Sequence, residues 1–187
     1  MTLRNAVMAA LLEGESSGYD LAKGFNATVA NFWTAPPQQL YKELDRMAAD
    51  GLIAARLVRQ ERRPNKRMFS LTDAGRQALR DFTAQQPRPS AIRDELLVQV
   101  QSVDAGDVDA VRAAITAHRQ AAEEKLVRYE RLRDRLLDGR DEHDYLRQAP
   151  RVGPYLTLAR GLAFEQENIR WADLALAVLQ QRSALVT

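Results

Sequence analysis

TAPPQQLYKELDRMAADG, residues Thr34 to Gly51, is the stretch on which the reading of the whole chain turns. Within it Leu40, Leu44, Met47 and Ala48 recur at offsets of four, seven and eight, the spacing of one buried helix face. The opposite face carries Gln38, Lys42, Asp45 and Ala49, with Gln39 and Arg46 on one flank and Tyr41 on the other. Thr34 suits an N-cap, Pro36 and Pro37 suit a first turn, and Gly51 suits the left-handed residue that closes a helix. The exposed first turns therefore present two amides, a phenol and an ammonium.

Working outward, Leu3, Val7, Met8, Leu11 and Leu12 keep helical spacing between a capping Thr2 and a terminating Gly14. Ser17-Gly18-Tyr19-Asp20 resembles a capping box and opens a second helix, which buries Leu21, Ala22, Phe25, Val29 and Phe32. Three helices thus arrive within the first fifty residues. On the other side, residues 52–59 and 66–71 have the composition of strands. The polar turn between them ends in Pro64-Asn65, which favours chain reversal. Thr72 then caps a returning helix that buries Ala78, Leu79 and Phe82. An isolated hairpin is marginal in water, so this one has to lean on the helices.

Charge is unevenly spread. The net formal charge is only +2, yet residues 1–86 hold twelve Lys/Arg against nine Asp/Glu. Between Arg56 and Arg67, six cations (Arg56, Arg59, Arg62, Arg63, Lys66, Arg67) face Glu61 alone. A bare charge run would be a solvated segment, but this one is interleaved with strand-forming apolar residues. Three helices, a basic hairpin and a returning helix make a winged helix-turn-helix. In such a fold one helix enters the major groove while the hairpin tip reaches the adjacent backbone or minor groove. Gln38, Gln39, Tyr41, Lys42 and Arg46 are then the candidates on the recognition helix. Arg62, Arg63, Asn65, Lys66 and Arg67 are the candidates on the wing, where cations give affinity by displacing counterions. Tyr19 is a phosphate contact, or equally a capping or core residue.

GYDLAKGF (18–25), QLYKELDRMAADGLI (39–53) and RPNKRMFSLTDAGR (63–76) together resemble the PadR family of bacterial transcriptional regulators. The shared features are Leu40-Tyr41 early in the recognition helix, the Gly51-Leu52-Ile53 exit, and the aromatic-x-Leu-Thr-x-x-Gly segment from Phe69 to Gly75. Each block alone is weak; their order and separation are specific. Lys42 departs from the pattern, since many relatives have proline after the tyrosine.

The second half opens with a linker, residues 85–90, where Pro87 and Pro89 interrupt any helix. The domain boundary is expected there, giving 1–86 and 87–187. Ser90 suits a cap for a helix with Ile92, Leu96, Val100 and Val103 on one face, and the stretch from Asp104 to Asp107 is a turn and cap. From Val108 a heptad frame places Val108, Ile115, Ala122, Tyr129 and Leu136 at one seam position and Val111, His118, Lys125 and Leu132 at the other. His118 and Lys125 mark places where the seam is poor or faces a partner. A charged loop follows Gly139, from Arg140 to Arg151, and a last helix runs from Gly153-Pro154 to about Ser183.

That last helix is apolar on two sides. One stripe is Tyr155, Leu158, Leu162, Ile169, Ala172, Leu176 and Leu179; a second is Phe164, Trp171, Leu174 and Val178. The preceding long helix can cover one stripe, and the simplest cover for the other is a second copy of the chain. We assign the first stripe to a homodimer interface. A two-fold pair of helix-turn-helix units reads half-sites roughly 34–36 Å apart or multiples of it. YLTLARGLAFEQENIRWADLAL (155–176) is similar to the C-terminal domain of the virulence-activator subfamily of PadR proteins. That resemblance implies a homodimer built by C-terminal helices, often exchanged between subunits. It further implies double-stranded DNA with a two-fold operator as partner, repression as the commoner outcome, and a small aromatic or hydrophobic effector. Trp171 is the effector candidate, although an aromatic on an inward stripe is usually core.

Composition bounds the alternatives. The chain has 187 residues, enough for a real core, and no cysteine, which removes disulfides, thiolate metal sites and a cysteine nucleophile. Its first twenty residues lack the pattern of a secretory signal, and no run nears the roughly 18 apolar residues of a membrane span, so a cytoplasmic protein without cofactor or membrane contact is expected. Gly14-Glu15-Ser16-Ser17-Gly18 matches the G-x-S-x-G nucleophile elbow, but helix precedes it and Ser17 serves better as a cap. His143 lies among carboxylates without a histidine at i+4, a poor metal set. The expected fold is mainly α with a small β-hairpin, an N-terminal winged helix-turn-helix and a C-terminal helical dimerisation domain, without enzymatic activity. The rival is a helical interaction module that does not bind DNA.

Overall fold

The computed structural model describes residues 3–24, 35–59, 65–87 and 93–185. The chain forms two compact units, residues 1–90 and 91–187. Thr2, Phe25, Val29, Phe32, Thr34, Ser90 and Ile92, named above as caps or core positions, lie outside the described residues, as do the wing candidates Arg62 and Arg63.

In the first unit, α1 (Leu3–Ala10) tightens into a 3-10 turn over Leu11–Glu13. Leu3, Val7, Met8 and Leu11 are buried, whereas Leu12, expected on the same face, is exposed. A two-residue strand β1 (Ser16–Ser17) leads into α2 (Gly18–Gly24). Half of the capping box forms: the Ser17 hydroxyl accepts from the Asp20 backbone N–H at 3.1 Å, while the Asp20 carboxylate accepts from that hydroxyl at 2.6 Å. Helix α3 (Pro37–Ala49) starts with a proline in its first turn and buries Leu40, Leu44 and Met47, as the spacing requires. Gly51 closes it at φ +71°, a conformation in which a Cβ would be strained.

Strands β2 (Ile53–Val58) and β3 (Lys66–Leu71) pair antiparallel from Ile53 opposite Leu71 to Val58 opposite Lys66. The sheet has three strands, not the two expected, because Ser16 and Ser17 pair with Phe69 and Met68 on the free edge of β3. Thr72 caps α4 (Asp73–Thr83) by accepting from the Gly75 N–H at 3.1 Å. A methyl group at Gly75 would overlap the Leu52 carbonyl oxygen, which is why the segment after the wing needs glycine there. One core joins α1, α2, α3, α4 and the sheet through Met8, Leu21, Leu44, Met47, Ile53, Phe69 and Leu79.

The second unit is built on α6 (Val108–Leu137) and α8 (Gly153–Leu185), with α5 (Glu95–Gln101) against α6. Asp94 caps α5 and Asp107 caps α6. The stretch Arg140–Arg151, expected as a loop, holds a further helix α7 (Glu142–Gln148), capped by Asp141 and anchored by buried Tyr145. Of the first stripe on α8, Tyr155, Leu158, Leu162, Ala172 and Leu179 are buried within the single chain, packed with Val111, Ile115 and Tyr129 of α6 or with Tyr145 of α7. Ile169 and Leu176 are half-buried. Among the described residues, the large apolar side chains that α8 leaves exposed are Leu156, Phe164, Leu174 and Val178.

The two polar seam positions of α6 have partners on α8. Lys125 faces Glu165, a carboxylate whose side chain is only 4% exposed, at 3.3 Å. Asn168 donates to the other Glu165 oxygen at 3.0 Å. His118 meets Trp171 edge to face, 6.3 Å between ring centres.

Candidate nucleic-acid interface

The face of α3 turned away from the core is open. Gln38, Gln39, Lys42 and Arg46 are exposed, and the first three have no side-chain partner among the described residues. Arg46 is drawn along its own helix to Glu43, 3.5 Å away, which in turn holds Arg4 of α1 at 3.1 Å. Arg4 also reaches Asp50 at 2.7 Å, so α1 clamps both turns at the end of α3. The helix presents free amides and an ammonium from its first turns while its end is fixed.

Beside that face lies a cavity of about 680 Å³ between the start of α2, α3 and the wing. Tyr19, Tyr41, Asn65, Lys66 and Arg67, five of the sequence candidates, line it together. Tyr19 is 68% exposed, which removes its core alternative. Tyr41 leans over the start of α2 so closely that a Cβ on Gly18 would come within 2.6 Å of its ring. Arg67 lies over the Phe69 ring at 5.1 Å.

Three acidic residues that are not among the sequence candidates for DNA contact complete this surface. Asp45 of α3 binds Arg67 at 2.6 Å, Asp20 of α2 lies 4.0 Å from Lys66, and Glu15 takes Arg56 in a two-pronged contact at 2.7 and 3.2 Å. Of the four described cations between Arg56 and Arg67, three (Arg56, Lys66 and Arg67) therefore have carboxylate neighbours. Their partners lie 22 residues away for Arg67, 41 for Arg56 and, from Lys66 back to Asp20, 46, so no local pattern reveals them.

Ser17, the nucleophile-elbow candidate, is buried with its hydroxyl committed to the α2 cap. Among the described residues no cluster of three His, Cys, Asp or Glu could hold a metal, and no helix is long and apolar enough to cross a membrane. In the second unit Tyr155 is buried, and its phenol is pushed up to about 12 by burial and then by a hydrogen bond to Glu142. Trp171 is half-buried against the cluster of Val111, Ile115, Ala172 and Leu179.

Residues 7–81 match the Transcriptional regulator PadR-like family, and residues 92–180 match the family described as Virulence activator alpha C-term. A probable transcriptional regulator of Mycobacterium tuberculosis is 31% identical, over 97% of this chain and all of its own length. The chain belongs to the PadR-like family of transcriptional regulators. PadR itself, a negative transcriptional regulator of Bacillus subtilis, is 27% identical over 96% of this chain and 98% of its own. Its crystal structure with operator DNA superposes with a TM-score of 0.76, at 28% identity, covering 95% of this chain and 98% of that one. The Vibrio cholerae virulence activator AphA superposes at 0.69, 26% identical, over 97% and 99% of the two chains. The relatives are regulators rather than enzymes, and the PadR-type fold accounts for both units of the chain.

Proposed function

We propose that the chain is a cytoplasmic, homodimeric repressor that binds a two-fold operator through its first unit, residues 1–86, and dimerises through residues 87–187. The carrying observation is the open face of α3, with Gln38, Gln39 and Lys42 unpartnered among the described residues and lying beside the wing. Support comes from the likeness to the Bacillus subtilis PadR crystallised on operator DNA. In this reading Gln38 and Gln39 reach base edges, Lys42 and Arg46 flank them, and Tyr19, Tyr41, Asn65, Lys66 and Arg67 follow the phosphates together with Arg62 and Arg63. Since α6 and α7 already cover the first stripe of α8 within one chain, the partner subunit meets the exposed Leu156, Phe164, Leu174 and Val178, unless helices are exchanged. Repression follows the negative regulator PadR; the activator AphA is the counter-example within the same fold.

Release by a small aromatic or apolar effector is part of the proposal, because PadR has also been crystallised with p-coumaric acid. Trp171 is the candidate reporter of that event: quenching of its fluorescence by phenolic acids or cationic drugs supports an effector role, and no response to any of them leaves it structural. The decisive test is fluorescence anisotropy of the protein on its own upstream DNA against a scrambled duplex. Sequence-dependent binding is expected, and Gln38→Ala or Gln39→Ala should relax preference at one or two base pairs by about 1–3 kcal/mol each. Unchanged preference after both substitutions withdraws the base-reading assignment. Absence of binding to either duplex would favour a helical interaction module without DNA binding.

A further inference from the structure

We infer that Asp45 tempers the affinity for DNA by acting through Arg67: its carboxylate occupies the guanidinium in the free protein and gives it up only to a well-placed DNA phosphate. This deepens the DNA-binding reading above and rests on it. Arg67 is held on two sides, by Asp45 at 2.6 Å and by the Phe69 ring at 5.1 Å, so its guanidinium is fixed beside the exposed face of α3. Asp20 stands in the same relation to Lys66, more loosely at 4.0 Å, and is itself held by the Ser17 hydroxyl at 2.6 Å. All four charged groups line one cavity together with Tyr41. The cavity's two cations are balanced by two carboxylates, whereas Lys42, which follows the lining residue Tyr41, has no partner among the described residues.

The consequence is competition. A carboxylate and a phosphate offer the same planar donor fork the same kind of acceptor. Both Asp45 and Arg67 are about half exposed, so the pair is weak enough to be exchanged. Salt screens the internal pair as well as the phosphate contact, so an exchanged cation contributes less to the salt dependence of binding than a free one. In a complex fixed by base contacts, a phosphate sits where Arg67 can take it. In a loose, sequence-independent complex it does not, and Arg67 stays with Asp45.

Asp45→Asn tests this by anisotropy on the operator duplex and on an unrelated duplex across a salt series. Asp81→Asn on α4, which changes the net charge equally but touches no wing cation, is the control. For Asp45→Asn we expect about two- to fivefold tighter binding to the operator duplex, because the internal pair no longer has to be broken there. The unrelated duplex should gain less, and the salt slope should steepen by up to about 0.9. In an Arg67→Ala background Asp45→Asn should have no effect. Three outcomes overturn the inference while leaving DNA binding intact: the same gain without Arg67, an equal gain from Asp81→Asn, or a change confined to preference at one base pair, which would make Asp45 a base reader. Wild-type protein that binds neither duplex removes the DNA-binding reading itself.

Discussion

Replacing Lys125 by methionine should damage the second unit more than removing both members of the pair it belongs to. Glu165 has a 4% exposed side chain with one donor for each oxygen, Lys125 Nζ at 3.3 Å and Asn168 Nδ2 at 3.0 Å. Lys125→Met leaves one oxygen of a buried carboxylate without its charge partner. Breaking a fully enclosed ion pair this way costs about 3–5 kcal/mol. Lys125 is 43% exposed, so water can reach the vacated oxygen, and we expect about 2 kcal/mol. In Lys125→Met with Glu165→Met no charge is left buried, so the double variant should be as stable as the parent or nearly so, a coupling of at least about 1 kcal/mol. Calorimetric melting at one fixed protein concentration reads this directly, because 1 kcal/mol moves a chain of this size by about 2–4 °C. The single variant should therefore melt about 4–8 °C below the parent. If Lys125→Met melts with the parent, or if the two substitutions add, the buried carboxylate does not depend on its ammonium and the reasoning fails.

Other outcomes follow from the same geometry. The buried Tyr155 phenol, raised from 10.0 to about 12, stays protonated where the unfolded chain would ionise. Its contribution to stability is therefore complete below pH 10 and lost as pH rises through 12, and Tyr155→Phe should flatten that alkaline loss in pH-dependent melting. Gly18→Ala puts a methyl group 2.6 Å from the ring of Tyr41, which is 44% exposed and free to swing aside, so it should shift the tyrosine near-ultraviolet dichroism at little cost in stability; unchanged dichroism would show that Tyr41 is not held there. Leu174→Glu, on the face of α8 left exposed at 63%, should turn a dimer into monomers in sedimentation without loss of helicity. A dimer that survives it would move the interface elsewhere.

Much of this was legible in the sequence because it is periodic. Leu40, Leu44 and Met47 fix which side of α3 is buried, and the heptad frame from Val108 names Val111, Ile115, Ala122 and Tyr129, the buried residues of α6. What escaped is short or non-local. Strand β1 has two residues, too few to alternate, and exists only because β3 offers a free edge. Helix α7 has seven residues, of which only the adjacent Tyr145 and Leu146 are apolar, too few to show a period. Periodicity also leaves open which neighbour covers which stripe, and so the first stripe of α8 could be given to a partner subunit although α6 and α7 cover it. The carboxylates beside the wing, and Glu165 beneath Lys125, become partners only after folding brings distant segments together.

The Thr72 hydroxyl lies 2.7 Å from the Gly51 carbonyl oxygen and 3.0 Å from that of Leu52, while its backbone N–H donates to Leu52 at 3.2 Å. One residue thus rivets the exit of α3 to the far end of the hairpin. Where the first unit meets DNA as proposed above, α3 and the foot of the hairpin are offered together, like two prongs cast in one piece.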